Sequence, residues 1–216
     1  MPVQCNVARS IPLIATSDIV LILLAAGRGE RLGGAKLALD LLGKPLGIWS
    51  AETYSKLQFK ARIAVVSQSA PTLSHLGYEE LQLAPPDAPL SSSIRTGMQR
   101  ALFYKPKAIM FALADMPFVT AEHAKILINC FDGDLICSQS RGGARLPPAI
   151  YGAKHFEALG KLSDDRGGGS LLTSALAVTL PWPGELDIDT KLDVEIALAS
   201  LREADPLPAP NPDLTA

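Results

Sequence analysis

Ile19-Val20-Leu21-Ile22-Leu23-Leu24-Ala25-Ala26-Gly27-Arg28-Gly29-Glu30-Arg31-Leu32-Gly33-Gly34-Ala35-Lys36 is the stretch on which the fold turns. Its first part is an apolar run rich in branched residues, the composition of a strand buried on both faces of a parallel sheet. The run is far shorter than the roughly 20 residues needed to cross a bilayer. A charged loop with four glycines succeeds it. Glycine lets backbone N–H groups close in on an anion and point at it. Arg28, Arg31 and Lys36 add positive charge to the same segment. A strand feeding a cationic, Gly-rich loop has the physics of a triphosphate cradle. It is not a P-loop, because Lys36 stands between Ala35 and Leu37 rather than in Gly-Lys-Ser/Thr. Nor does it complete a dinucleotide fingerprint, since Leu32 occupies the place of the last glycine.

Outward from this stretch, strand-like and helix-like segments alternate. Pro45–Leu57 has helical spacing, Arg62–Ser67 reads as a second strand and Leu81–Ala84 as a short third. A helix is expected over Ser91–Tyr104, a strand over Ala108–Leu113, a helix over Thr120–Phe131 with Thr120 as N-cap, and a strand over Leu135–Ser138. Such alternation implies a mostly parallel sheet covered by helices on both faces. Ligands of such sheets bind beyond the carboxyl ends of the strands, near the point where strand order reverses. The loops after Leu24 and Leu113 are therefore where chemistry is expected.

The 216 residues suit one large domain, and nearly half are apolar, enough for a full core. Residues 1–18 read as an irregular N-terminal extension, 19–203 as the domain, and 204–216, with four prolines, as a disordered tail. Thr16, Ser17 and Asp18 interrupt the apolar part of the N-terminus, which argues against an export signal. A cytoplasmic location with no membrane partner is expected. The net charge of −2 shows no basic excess, so nucleic acid is not an expected partner. The three cysteines include no Cys-x-x-Cys pair, which argues against a disulfide framework or zinc ribbon and for reduced packing thiols. His75, His123 and His155 are scattered, without metal-ligand spacing, and read as surface or packing residues.

Leu24-Ala25-Ala26-Gly27, then Arg31-Leu32-Gly33 and Lys36, resembles the LAAGxxxRMGxxK signature of the MobA-like nucleotidyltransferases, and within them most resembles the molybdenum cofactor cytidylyltransferases. The resemblance continues at Leu90–Gly97, at Leu113-Ala114-Asp115-Met116-Pro117 and at Asp187-Ile188-Asp189-Thr190, covering roughly residues 19–202. It implies a single-domain, three-layer α/β/α, Rossmann-like nucleotidyltransferase fold. It also implies that Leu24, Ala25, Ala26, Gly27, Arg28, Gly29, Arg31, Lys36, Ser91, Ser92 and Ser93 bind the nucleotide. Arg31 and Lys36 would be catalytic together with Asp115. Asp115 and Asp189 would hold Mg²⁺, while Asp187 reads as structural.

By itself Asp115 is equally a turn aspartate and Asp189 equally an N-cap. The serine run is equally a helix cap. Arg145, Pro147 and Arg166 fall where the family meets its acceptor, although Arg145-Leu146-Pro147-Pro148 replaces the usual Gly-His-Pro or Gly-Asn-Pro. Ala25-Ala26 matches the cytidylyltransferase pattern, LAAG, rather than the guanylyl LAGG, which points to CTP. The implied reaction transfers CMP to the terminal phosphate of molybdopterin, with transient contact to a molybdoenzyme or its chaperone. Two other readings stay open: a nucleotidyltransferase for a sugar or polyol phosphate, and a non-catalytic molybdenum cofactor-binding chaperone.

Overall fold

A computed structural model describes residues 14–27, 29–85, 88–163 and 168–204. Its strands are β1 (Ile19–Ala25), β2 (Asp40–Leu41), β3 (Lys44–Pro45), β4 (Ala61–Val66), β5 (Glu79–Gln82), β6 (Ala108–Leu113), β7 (Leu135–Gln139), β8 (Arg145–Gly152) and β9 (Leu176–Thr179). Its α-helices are α1 (Leu46–Ser55), α2 (Leu90–Phe103), α3 (Ala121–Cys130), α4 (Phe156–Gly160) and α5 (Lys191–Ala204).

Seven strands form one sheet in the order β5-β4-β1-β6-β8-β7-β9, and β2 pairs with β3 in a separate small hairpin. Only β8 runs antiparallel to its neighbours in the large sheet. β1 alternates its side chains between two cores. Ile19, Leu21, Leu23 and Ala25 join the core under α1, α3 and α5, whereas Val20 and Ile22 join the core under α2 and α4. The expected three-layer α/β architecture is therefore the one observed.

The expected elements are present with small boundary shifts, as at β5, which begins two residues before Leu81, and at α1, which ends two residues before Leu57. Thr120 caps α3, accepting a hydrogen bond from His123 N. The edge strand β9 has no counterpart among the expected elements. It is four residues long and only half buried, which gives it little apolar signal. Of the proposed extension, Thr16–Asp18 forms one 3₁₀ turn, and residues 1–13 lie outside the described residues. Helix α5 runs through Ala204, the first residue assigned to the tail; the rest of that tail lies outside the described residues.

Cys137 is a buried free thiol, as expected. Cys130 packs half-buried against the first core, and Cys5 lies outside the described residues. His123 is a core residue, 2% exposed. Its Nε2 lies 2.9 Å from Ser138 Oγ, whose hydroxyl donates to Pro148 O at 3.0 Å. Nε2 therefore carries the proton and donates, joining α3 to β7 and β8.

Strand order reverses at β1. The chain moves outward through β4 and β5, then α2 returns it to β6 on the other side. Gly97 permits this return: a Cβ there would lie 2.6 Å from Ile22 Cγ2, so α2 sits directly against β1. The carboxyl ends of β1 and β6 consequently lie side by side, with Ala114 N donating to Leu24 O. No helix among the described residues is long and apolar enough to cross a membrane.

Candidate active site

Beyond β1 the loop folds tightly on itself. Gly29 adopts a left-handed conformation at φ 59°, and a Cβ there would lie 2.3 Å from Lys36 Cβ. Its carbonyl accepts from both Leu32 N and Gly34 N. This turn places Lys36 at the start of a short 3₁₀ segment, Lys36–Ala38, with the side chain directed inward and 4% exposed.

Lys36 Nζ lies 2.6 Å from Asp189 Oδ1, 2.8 Å from Asp115 Oδ2 and 3.5 Å from Asp187 Oδ1. The last distance makes an ion pair but is too long for a good hydrogen bond. Burial alone would lower the lysine pKa. The Asp115 carboxylate, with Asp189 and Asp187, overrides that and holds the pKa above its ordinary value, so the ammonium stays charged. The Asp187 pKa is also raised, which for a carboxyl group favours the neutral form. Burial of its inner oxygen, reinforced by the Asp115 charge, pushes its pKa well above the usual range although Lys36 opposes this.

Other contacts aim these carboxylates. Ser50 of α1 is buried, and its hydroxyl lies 3.1 Å from Ala114 O and 3.0 Å from Met116 O, bracketing Asp115. Asp115 O accepts from Ile188 N, which ties the two acidic segments together. Asp193 Oδ2 accepts from Asp189 N, Thr190 N and Thr190 Oγ1. Thr190 Oγ1 in turn accepts from Asp193 N, a reciprocal cap. The N-cap of α5 is thus Thr190, not Asp189, whose carboxylate is left for the lysine.

Two cavities open beside this cluster. One, of about 390 Å³, is lined by Ala26, Gly27, the first turn of α2 with Ser93, and Asp115. The other, of about 460 Å³, is strongly apolar and is lined by Phe111, Tyr151, Leu172, Arg145 and Pro147 among others. They share Leu24, Leu90 and Leu113 as a common wall. Ala25 instead turns into the core under α1.

The serines lie inside the first turn of α2, because the helix begins at Leu90 after Pro89 with no side-chain cap. Ser92 Oγ accepts from Arg95 Nη2 at 2.9 Å and Ser91 Oγ from Arg95 Nη1 at 3.3 Å, which leaves Ser93 as the serine lining the nearer cavity. Arg31 lies on the 3₁₀ turn Glu30–Leu32 at the surface and lines neither cavity. Arg145 Nη1 donates to Ala175 O at 2.7 Å, so this guanidinium also braces β8 against the segment before β9. Arg28 and Arg166 lie outside the described residues.

Asp187 and Ser50 are the residues that sequence reasoning undervalues. A second aspartate two positions before Asp189 is a usable signal; a lone serine in an apolar helix carries none.

Residues 21–179 match the MobA-like NTP transferase domain. The chain belongs to this family. As a MobA-like nucleotidyltransferase it takes a nucleoside triphosphate and a phosphorylated acceptor. Purine catabolism protein PucB of Bacillus subtilis (strain 168) is 28% identical over 188 residues, covering 78% of this chain and 90% of its own. The Rv0371c homologue of Mycobacterium sp. strain JC1 superposes with a TM-score of 0.74 at 23% identity, covering 88% of this chain and 99% of its own. The manganese complex of Rv0371c from Mycobacterium tuberculosis H37Rv superposes with a TM-score of 0.66 at 21% identity, covering 84% and 98%. These two share its fold.

The acidic cluster fits a divalent cation. One oxygen each from Asp115, Asp187 and Asp189 lies within 4.8 Å of the others. Asp115 Oδ1 is buried with no hydrogen-bond partner among the described residues. Hard carboxylate oxygens in this number suit Mg²⁺ or Mn²⁺. Three carboxylates against one ammonium also leave net negative charge, which would repel a triphosphate until a cation offsets it.

Proposed function

We propose that this nucleotidyltransferase transfers CMP from CTP to the terminal phosphate of molybdopterin or its molybdenum form, with Mg²⁺ as the working cation and with residues 19–203 as the catalytic unit. The observation that carries this reading is the meeting of Lys36, Asp115 and Asp189 beside a chamber built from Gly27 and the N-terminal turn of α2, next to an apolar second chamber.

An acceptor phosphate oxygen forms a bond to the α-phosphorus of CTP, the bond from that phosphorus to the bridging oxygen breaks, and pyrophosphate leaves. The acceptor phosphate is already ionised at neutral pH, so no general base is needed. This agrees with the absence of a histidine from the described residues lining either cavity. Catalysis then rests on positioning and on charge. The N–H groups of the loop at Gly27 and of the first turn of α2 suit phosphate or base edges. Lys36, with Arg31 and Arg28, supplies positive charge toward the departing pyrophosphate. Asp115 and Asp189 would hold Mg²⁺, with Asp187 beside them; when bound, the ion neutralises charge on phosphate oxygens.

Ala26 favours CTP for a physical reason. Ala26 lines the smaller chamber, where glycine would leave more room for a purine. The apolar chamber favours a flat ring system over a sugar. Phe111 and Tyr151 meet edge to face there at 5.7 Å, and a sugar's hydroxyl groups would find few partners on such walls. Arg145 and Pro147 line this chamber and would contact the acceptor.

The test is pyrophosphate release with each nucleoside triphosphate, Mg²⁺ and molybdopterin, comparing the native protein with Asp115→Ala. CTP-dependent release that Asp115→Ala abolishes supports the reading. Clear preference for GTP would remove the CTP assignment. Release only with a sugar or polyol phosphate would remove the acceptor assignment, and pterin binding without release would indicate a carrier.

A further inference from the structure

We propose that Lys36 and the divalent cation are alternative occupants of one acidic site, so that metal loading expels the Lys36 ammonium from the carboxylates and frees it for the phosphates. The inference rests on the reading that Asp115, Asp187 and Asp189 take a divalent cation.

Lysine is almost never buried without a partner. Lys36 is buried, and its partners come from two segments far away in sequence, at the carboxyl end of β6 and ahead of α5. Its Nζ touches Asp115 Oδ2 and Asp189 Oδ1, one oxygen from each of the two proposed metal ligands, and Asp187 Oδ1 faces it from a third side. A divalent ion needs such oxygens at about 2.0–2.6 Å. An ion drawn in by these carboxylates would therefore lie against the ammonium, and two cations this close repel strongly where water is partly excluded. The divalent ion offsets more of the negative charge, so it is the ammonium that leaves.

Gly29 packs closely on Lys36 Cβ, with no room for a side chain between them. The flexible four-carbon stem can still turn. The same loop carries Gly27, which lines the smaller chamber where the triphosphate would lie. Lys36 thus stands in for the metal when none is bound, keeping three carboxylates together, and becomes available for phosphate once the metal arrives. Metal loading and phosphate recognition are coupled through one side chain.

The test is Mn²⁺ binding to the full chain without nucleotide, followed by calorimetry or by the paramagnetic signal of free Mn²⁺. Lys36→Met should bind Mn²⁺ about tenfold or more tightly than the native protein, a difference of about 1.4 kcal/mol. Equal or weaker binding by a folded Lys36→Met protein overturns the proposal. The second measurement needs no variant. Acylation of Lys36 by an amine reagent, read by peptide mass spectrometry, should rise severalfold on saturation with Mn²⁺. Unchanged labelling overturns the proposal.

The outcomes separate it from the proposed reaction. CTP-dependent pyrophosphate release, with both proteins binding Mn²⁺ alike, removes the competition and keeps the reaction. Absence of Mn²⁺ binding in both removes the competition and the metal site together.

Discussion

Ser50 shows how much of this site depends on residues that never reach a ligand. One hydroxyl spans two carbonyls on either side of Asp115, so the carboxylate is aimed by a helix that lies outside both cavities. Ser50→Ala should raise the metal concentration needed for half-maximal turnover by about ten- to a hundred-fold, the usual effect of losing a group that orients a metal ligand. Ser50→Thr should restore part of it, and a titration of initial rate against Mg²⁺ checks both. Asp115→Asn keeps the shape but removes the charge. Pyrophosphate release should fall about a hundred-fold or more, as when a group stabilising transition-state charge is lost. Asp115 is legible in the sequence because it ends an apolar strand and precedes Met116-Pro117. The clasp of Lys36 on it is not, since no local pattern links a loop lysine to carboxylates so far along the chain. Asp187 is legible only in part: its place two positions before Asp189 is a signal, but only the fold brings its carboxylate to Asp115.

Helix α2 is the element that most directly joins packing to function. Its N-terminal turn lines the smaller chamber, and its middle rests on β1 through Gly97. Gly97→Val must push the helix off Ile22. It should cost about 1–3 kcal/mol, as overpacking does, measured by urea unfolding. It should also raise the KM for nucleotide, because the N-terminal turn moves with the helix. Helix α5 carries a comparable load through its cap. Asp193→Ala removes the acceptor for Asp189 N and both donors of Thr190; it should cost about 1 kcal/mol, read from the same urea transition. The existence of α2 is evident from its helical spacing, but the role of its serines is not. They suggest a cap, whereas the helix starts one residue earlier and Arg95 engages two of them. Reading a cap requires the exact first residue of a helix, and sequence periodicity does not resolve it.

Across the whole molecule, strand order brings β1 and β6 together, and that much is legible from the alternation of segments and the two loops that end them. The antiparallel β8 and short edge β9 carry weaker patterns, yet β8 walls the larger chamber through Arg145, Pro147, Ala149 and Tyr151. The same region sets an acid sensitivity. Burial lowers the His123 pKa to about 4 from its ordinary value near 6.5. The unfolded chain therefore binds the extra proton first. The stabilisation is intact above pH 6.5, is lost as pH falls toward about 4, and is flat below; at most about 3 kcal/mol is at stake. Urea unfolding at pH 7.5 and pH 5 should show the native protein losing more stability than His123→Gln, and equal losses would remove this assignment. Finally, the wall of Leu24, Leu90 and Leu113 divides the two chambers by no more than a few side chains. A short tether can therefore cross it. Two weak ligands, one for each chamber, joined by a linker of matching length would bind the second end at high effective concentration, and the conjugate should outcompete either half by orders of magnitude.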